Sequence, residues 1–281
     1  MIWAFFCAVV MVVITATTAM AEPRIALVVG NGQYSLVSPL DNPVADAQLI
    51  ATTLGECGFE VKILTDTTQI TLNRAIAQFG RDLRVAGPEA TGLFYYAEHG
   101  VQSFGANYLL PVDATLSDAA DLSLVAVQTN SVLRQMFSAK NKTNFFILDA
   151  CRNNPFEDIL DLNDNGLAEM KAPVGTFLSY ATGPGAVALD GLDGSSLFTK
   201  ALAKQILLAG LPIEKVFKNV RIEVIEKTGG QQTPWDTSSL TGDFFFEAKA
   251  AVSVDDMSAQ AMWGSVKESC DAGYVVHAWI P

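Results

Sequence analysis

The sequence predicts an α/β fold in which a mostly parallel central sheet is flanked by helices. Short apolar runs alternate along the chain with longer segments of helical periodicity, an order that is typical of parallel sheets. Several of the runs are continuously apolar, as expected for buried strands. The chain has 281 residues, of which 50% are hydrophobic, so it can bury one large core and we expect one main domain.

The elements follow one another from residue 24 onward. Residues 25–29 form the first apolar run, which ends at Gly-Asn-Gly over residues 30–32. Residues 44–57 have apolar side chains at helical spacing, and Gly58 follows them as a stop signal. Further strands are predicted at 60–64, 91–97, 144–148, 176–181 and 242–247, and further helices at 70–85, 130–139, 195–208 and 212–227.

The N-terminus has the pattern of a signal peptide. Residues 1–21 contain an apolar stretch, no Lys or Arg, and an A-x-A cleavage motif that ends at Ala21. The missing basic residues leave an uncleaved N-terminal anchor as the alternative. We expect a signal peptide at 1–21, a main domain at 22–250 and an appendage at 251–281 that resembles a truncated longer region. The protein is then exported, periplasmic or secreted, with no stable membrane span after signal cleavage.

Charge and cysteine usage exclude several function classes. The net charge of −12 argues against a nucleic-acid partner, because phosphate backbones are bound mainly by clustered Lys and Arg. Beyond the signal peptide the cysteines are Cys57, Cys151 and Cys270, an odd number without C-x-x-C spacing, which predicts no disulfide framework. The histidines are His99 and His277, too few for a structural zinc site. We therefore expect no cofactor.

Two predicted strand ends carry side chains that can do chemistry together. His99 follows the strand at 91–97, and Cys151 follows the strand at 144–148. Loops at the carboxyl ends of parallel strands converge, so neighbouring strands would bring the two side chains together. A cysteine peptidase needs a thiolate, a base and N–H groups for the oxyanion, and Gly100 without its Cβ can bring its N–H close to a substrate carbonyl. Taken singly, each residue also fits a structural role as a buried thiol or a core imidazole, and spacing alone leaves both interpretations open.

Two motifs resemble the catalytic motifs of bacterial caspase-domain proteins, which are relatives of metacaspases. They read YYAEHGVQ at residues 95–102 and LDACRNNPF at residues 148–156. The order of predicted elements also matches that family from residue 24 to about residue 247. The resemblance implies a caspase-haemoglobinase fold, an α-β-α sandwich, in a p20-type peptidase C14 domain over 22–250. It also implies a cysteine-type endopeptidase with Cys151 and His99 as the catalytic pair and the N–H groups of Gly100 and Cys151 at the oxyanion.

One position departs from the family pattern. Glu98 stands where the residue before the histidine is usually glycine. Its carboxylate could raise the pKa of His99, hinder the site or point to solvent. The alternative function is therefore a catalytically inactive caspase-like module that binds partner proteins or peptides.

The metacaspase resemblance also implies cleavage of peptide bonds after Arg or Lys, set by acidic residues in the substrate pocket. Asp149 and Asp46 are the matching positions, and their carboxylates could pair with a cationic side chain. Asp46 fits equally well as a first-turn carboxylate favoured by the helix dipole. Ser179 and Tyr180 are expected to bind an extended peptide through the backbone at the next strand, with an ordinary strand end as the alternative.

The acidic loop after the cysteine strand is the expected place of self-cleavage, because caspase-like proteins are often cut there. Lys171 is the only basic residue between Arg152 and Lys200, so autoprocessing is predicted at Lys171. Some metacaspases need calcium, but the carboxylates at 157–169 do not follow an EF-hand pattern, so calcium is left open. The expected partner is a peptide or protein substrate, and the oligomeric state stays open.

Overall fold

The computed structural model describes residues 22–150, 156, 159, 162, 166–189, 191 and 194–247. In chain order the strands are β1 (Arg24–Gly30), β2 (Glu60–Thr65), β3 (Thr91–Ala97), β4 (Gly100–Ser103), β5 (Ala106–Leu109), β6 (Val127–Gln128), β7 (Thr143–Asp149), β8 (Thr176–Tyr180) and β9 (Trp235–Ser238). The helices are α1 (Pro43–Glu56), α2 (Gln69–Ala86), α3 (Leu122–Val125), α4 (Thr129–Ala139), α5 (Leu197–Ile206) and α6 (Ile213–Lys227). The predicted signal peptide and C-terminal appendage lie outside the described residues.

The main sheet has the strand order β2-β1-β3-β7-β8-β9 within the described residues. The pairs from β2 to β8 are parallel, and β9 runs antiparallel to β8 at one edge. A small antiparallel sheet of β4, β5 and β6 begins just after β3 ends. The predicted α/β class with a mostly parallel sheet is confirmed.

Helices cover both faces of the main sheet. Tyr95 of β3 reaches α5, where its hydroxyl hydrogen-bonds to Thr199. Three residues earlier, a Cβ built on Gly92 would lie 2.9 Å from Leu83 of α2. Because successive strand residues point to opposite faces, α5 and α2 lie on opposite sides of the sheet. α1 and α6 pack with α5, and α4 packs with α2. Among the described residues, none of the helices is both long and apolar enough to cross a membrane.

The core is built on the central strands, as their apolar composition predicts. The central residues of β1, β3 and β7 are almost completely buried, and aromatic rings from β3 and β7 stack across the strand pair, as with Phe94 and Phe146 at 5.2 Å. Burying a large side chain of this kind contributes about 2–3 kcal/mol relative to leaving it exposed. Because the centres of these strands are packed in the core, their ends hold the first residues of the following loops in place.

The predicted last strand at 242–247 is wrong. Phe244 and Phe246 are buried there, but Phe245 forms only an isolated bridge to Pro212. Arg24 satisfies part of the backbone of this segment, because its guanidinium donates to the carbonyl oxygens of Phe245 and Phe246. The apolar residues of this segment therefore reflect aromatic packing without a strand ladder, and within the described residues the last strand of the sheet is β9.

Candidate active site

His99 lies between the end of β3 and the start of β4, at the carboxyl edge of the main sheet. The side chain is buried, and its ring centroid lies 5.1 Å from that of Tyr34. Its Nε2 atom lies 3.4 Å from the main-chain carbonyl oxygen of Ser38. A carbonyl oxygen only accepts, so this hydrogen bond requires the proton on Nε2 and leaves the lone pair on Nδ1. In the neutral form of this imidazole, Nδ1 is therefore the basic atom.

Glu98 is buried, so the interpretation in which it points to solvent is wrong. Its backbone N–H donates to the carbonyl oxygen of Asp149 at 3.3 Å, which joins the ends of β3 and β7. Its carboxylate Oε1 accepts from the N–H of Leu110 at 3.4 Å. A buried carboxylate next to His99 in the chain fits the other two interpretations, in which it raises the pKa of His99 or hinders the site.

Gly100 packs against the residue that precedes Cys151 in the chain. A Cβ added to Gly100 would lie 2.7 Å from the carbonyl oxygen of Ala150 and 2.9 Å from Cδ2 of Leu167. β3 and β7 are adjacent parallel strands, which is the arrangement that brings these two loops together. Cys151 itself lies outside the described residues. Gly100, which directly follows His99, therefore packs against Ala150, the residue immediately before the predicted nucleophile.

The two predicted pocket carboxylates, Asp46 in the first turn of α1 and Asp149 at the end of β7, meet at a single residue. Both are fully buried. The backbone N–H of Ser196 donates to Oδ1 of Asp46 at 2.8 Å, and its hydroxyl donates a short hydrogen bond to Oδ2 of Asp149. Thr199 adds a second hydroxyl to the same Asp149 oxygen at 2.8 Å. Sequence reasoning missed Ser196, whose only signal is a serine directly before a helix.

Ser179 and Tyr180 lie inside β8 and not at an open edge. Their backbones are paired with β7 on one side and β9 on the other. The Tyr180 hydroxyl accepts from the N–H of Met170 at 3.1 Å. A peptide that pairs with this strand must therefore do so beyond Tyr180, at the residues that follow β8.

Lys171 is exposed, on a segment held against the small sheet. The side-chain amide of Asn107 donates to the carbonyl oxygen of Ala168 and accepts from its N–H, both at 2.7 Å. Arg134 and Phe137 of α4 line an open depression of about 450 Å³ together with Lys171. The predicted autoprocessing position is thus accessible, on a backbone that is tied down three residues earlier.

The chain matches the family model of the peptidase C14 caspase domain over residues 23–245. It belongs to the caspase-domain family. It is similar to mucosa-associated lymphoid tissue lymphoma translocation protein 1 of Homo sapiens, with 29% identity over 198 residues, covering 69% of this chain and 23% of the relative. The Mus musculus homologue is 30% identical over 193 residues, covering 67% of this chain and 22% of that protein. The matched region spans less than a quarter of these relatives.

Membership of the caspase-domain family gives the chain a caspase-like α/β fold and places it among caspase-like peptidases, which act on protein substrates. The expected resemblance to this family is confirmed. The matched region contains His99, Gly100 and both carboxylate positions, and it ends close to the last described residues.

Cys57 is the cysteine of this caspase domain that the described residues include, and it is unsuited to catalysis. It is buried at the end of α1, away from the carboxyl edge of the sheet. Burial, reinforced by the nearby carboxylate of Glu247, raises the pKa of the Cys57 thiol to about 12. The thiol form therefore dominates at neutral pH, and a thiolate nucleophile must come from another cysteine.

The residues that the structure describes contain no group of three or more His, Cys, Asp or Glu side chains that could hold a metal ion. A calcium requirement was left open on account of the carboxylates in the loop at 157–169, and most of these carboxylates lie outside the described residues.

Proposed function

We propose that this caspase domain is a cysteine endopeptidase that hydrolyses peptide bonds after Arg or Lys, with Cys151 and His99 as its catalytic pair. The observation that carries the proposal is the position of His99. Its Nε2 faces the carbonyl oxygen of Ser38, which leaves Nδ1 as the base, and its neighbour Gly100 packs against Ala150, one residue before Cys151. Successive Cα atoms are about 3.8 Å apart, so the nucleophile begins within that distance of Ala150.

The reaction follows from these groups. Nδ1 of His99 takes the thiol proton, and the Cys151 thiolate attacks the substrate carbonyl carbon while the N–H groups of Gly100 and Cys151 hold the oxyanion. Breaking the C–N bond releases the amine, which takes the proton from the imidazolium, and leaves an acyl-thioester. His99 then deprotonates water, which attacks the thioester, releases the carboxylic acid and regenerates the thiol.

The preference for a basic side chain rests on Asp46 and Asp149. Both carboxylates are buried and both accept from Ser196, so they repel each other when ionised, and a cationic side chain bound by both would offset that repulsion. Backbone pairing of the peptide would continue past Tyr180, beyond the filled positions of β8. The proposal also includes export through a signal peptide at 1–21, a domain over 22–250, and no required cofactor, with calcium kept as a variable of the test.

Cleavage of a fluorogenic peptide panel with Arg, Lys, Asp or Ala at the scissile position tests this proposal, with and without calcium. We expect kcat/KM for Arg and Lys to exceed that for Asp by about a hundredfold or more, because a buried charge left without its partner costs about 3–5 kcal/mol. A preference for Asp, or cleavage without regard to this residue, would contradict the acidic pocket.

A second candidate function, the inactive binding module, is favoured by the burial of Glu98 beside His99. Under this function no peptide in the panel is cleaved in any condition. The Glu98→Gly variant, which restores the usual family residue, separates the two functions. Turnover in the variant alone would identify Glu98 as the group that silences an otherwise complete site.

The proposed endopeptidase activity also predicts that the protein cleaves its own chain after Lys171. Incubation of the active mature chain should yield one nick, seen by intact mass spectrometry, and Lys171→Ala should abolish it while the control Lys62→Ala should not. The Asn107→Ala variant should be nicked about thirtyfold faster, because it loses two hydrogen bonds worth about 1 kcal/mol each and the segment opens more often. An active preparation that stays intact would contradict the prediction.

A further inference from the structure

Ser196 stands at the junction of the two pocket carboxylates and the first turn of α5. It is the N-cap residue of α5, where its Oγ accepts from the N–H of Thr199 at 2.9 Å. The same hydroxyl donates its single hydrogen to Asp149, and the Ser196 N–H donates to Asp46. The residue is buried, 1% exposed, and lies 150 positions from Asp46 and 47 from Asp149 along the chain.

The hydrogens in this cluster can be assigned from its geometry. Thr199 Oγ1 donates to Asp149, so its one hydrogen is used and the hydroxyl of Tyr95 must donate to Thr199. Ser196 Oγ likewise accepts from the helix N–H and donates to the carboxylate. Each hydroxyl is polarised by the donor behind it, which strengthens its bond to Asp149. Two hydroxyl donors on one oxygen therefore hold the Asp149 carboxylate in one fixed orientation at the start of α5.

We propose that Ser196 is a specificity-determining positioning residue, which holds Asp46 and Asp149 in the arrangement that selects Arg over Lys. This inference rests on the proposed function, because it assumes that the two carboxylates bind the substrate side chain. A guanidinium is a rigid planar fork that must match the direction of its carboxylate partners, whereas an ammonium is a point charge that tolerates displaced carboxylates. Loosening Asp149 therefore weakens Arg binding more than Lys binding.

Three variants separate this role from helix capping. Ser196→Gly removes the hydroxyl but keeps an acceptable N-cap, with a small cost to the helix. Ser196→Thr keeps the hydroxyl and should restore the wild-type behaviour. Thr68→Gly is the matched control, since Thr68 caps α2 and its hydroxyl bonds only to Thr71 among the hydrogen bonds of the described residues.

The test is kcat and KM for matched Arg and Lys peptides, together with the melting temperature of each variant. Ser196→Gly should lose about tenfold in kcat/KM for Arg, mainly through KM, and no more than about twofold for Lys, since one hydrogen bond to a charged group accounts for about a factor of ten. Ser196→Thr and Thr68→Gly should match the wild type. An equal loss for both peptides that follows a lower melting temperature, or no loss at all, would overturn the inference.

A failure of the proposed endopeptidase function can be distinguished from a failure of the inference about Ser196. If the wild type cleaves no peptide, the endopeptidase proposal fails, and anisotropy of a labelled peptide ending in Arg then reports on the pocket directly. About tenfold weaker binding to Ser196→Gly than to the wild type supports the inference even then, whereas equal binding, or none to either protein, overturns it.

Discussion

Replacement of Cys151 by alanine is expected to reduce turnover of an arginyl peptide by at least about a thousandfold, because loss of the nucleophile removes the covalent route altogether. The fluorogenic assay on the mature chain measures this loss. Cys57→Ala is the matched control. It removes a buried thiol at the opposite end of the domain, so it should lower stability slightly and leave turnover at the wild-type level.

Alkylation adds a readout that does not depend on finding a good substrate. At pH 7 a thiol with the pKa of about 12 given to Cys57 is a thiolate in about one molecule in 10⁵, and this fraction rises about tenfold per pH unit until the pH approaches the pKa. Iodoacetamide at neutral pH should therefore label Cys151 well before Cys57, as peptide mapping would show. Equal, slow labelling of Cys57, Cys151 and Cys270, or a Cys151→Ala variant that still cleaves, would contradict the assignment.

The sequence predicted the parallel strands from β2 to β8 well, but it missed β9 and the small sheet. β1, β3 and β7 are continuous apolar runs because both faces of each are covered, and burial of this kind is visible in composition. The edge strand β9 and the small sheet of β4, β5 and β6 are short and largely polar or interrupted, so they have no such pattern. Arg24 shows why the segment at 242–247 was mistaken for a strand. Its guanidinium satisfies backbone carbonyls that a strand would pair with a neighbour, and no local pattern reveals a contact over 221 residues.

Some residues of the candidate site were also predictable from the sequence, and others were not. The location of His99, Gly100 and Asp149 at one sheet edge was predictable, because each lies at or within three residues of the end of a buried strand and parallel strands bring their carboxyl ends together. Ser38 was not predictable, since it contributes a main-chain carbonyl that any residue type would supply. Ser196 has a capping signature, but its contact with Asp149 depends on how α5 docks on the sheet. The positions of the candidate side chains were therefore predictable from the sequence, whereas the groups that contact and orient them were not.

Gly100→Ala is expected to lower kcat by about a hundredfold or more, comparable to the loss of an oxyanion-hole donor in other peptidases. The added Cβ would lie 2.7 Å from the carbonyl oxygen of Ala150, which is backbone and cannot rotate away. The ends of β3 and β7 must then separate, and the N–H groups of Gly100 and Cys151 move apart. Overpacking of this kind also costs about 1–3 kcal/mol of stability.

Gly55→Ala is the matched control for this substitution. Gly55 lies in α1 with nothing within 4 Å of its added Cβ, so alanine should leave activity unchanged and raise helix stability by up to about 1 kcal/mol. The alkylation rate of Cys151 identifies the cause of any loss in Gly100→Ala. Thiolate formation needs His99 but no oxyanion donor, so a normal alkylation rate with lost turnover places the defect in the oxyanion hole. If both fall together, the substitution has displaced the catalytic pair, and wild-type turnover in Gly100→Ala would remove Gly100 from the mechanism.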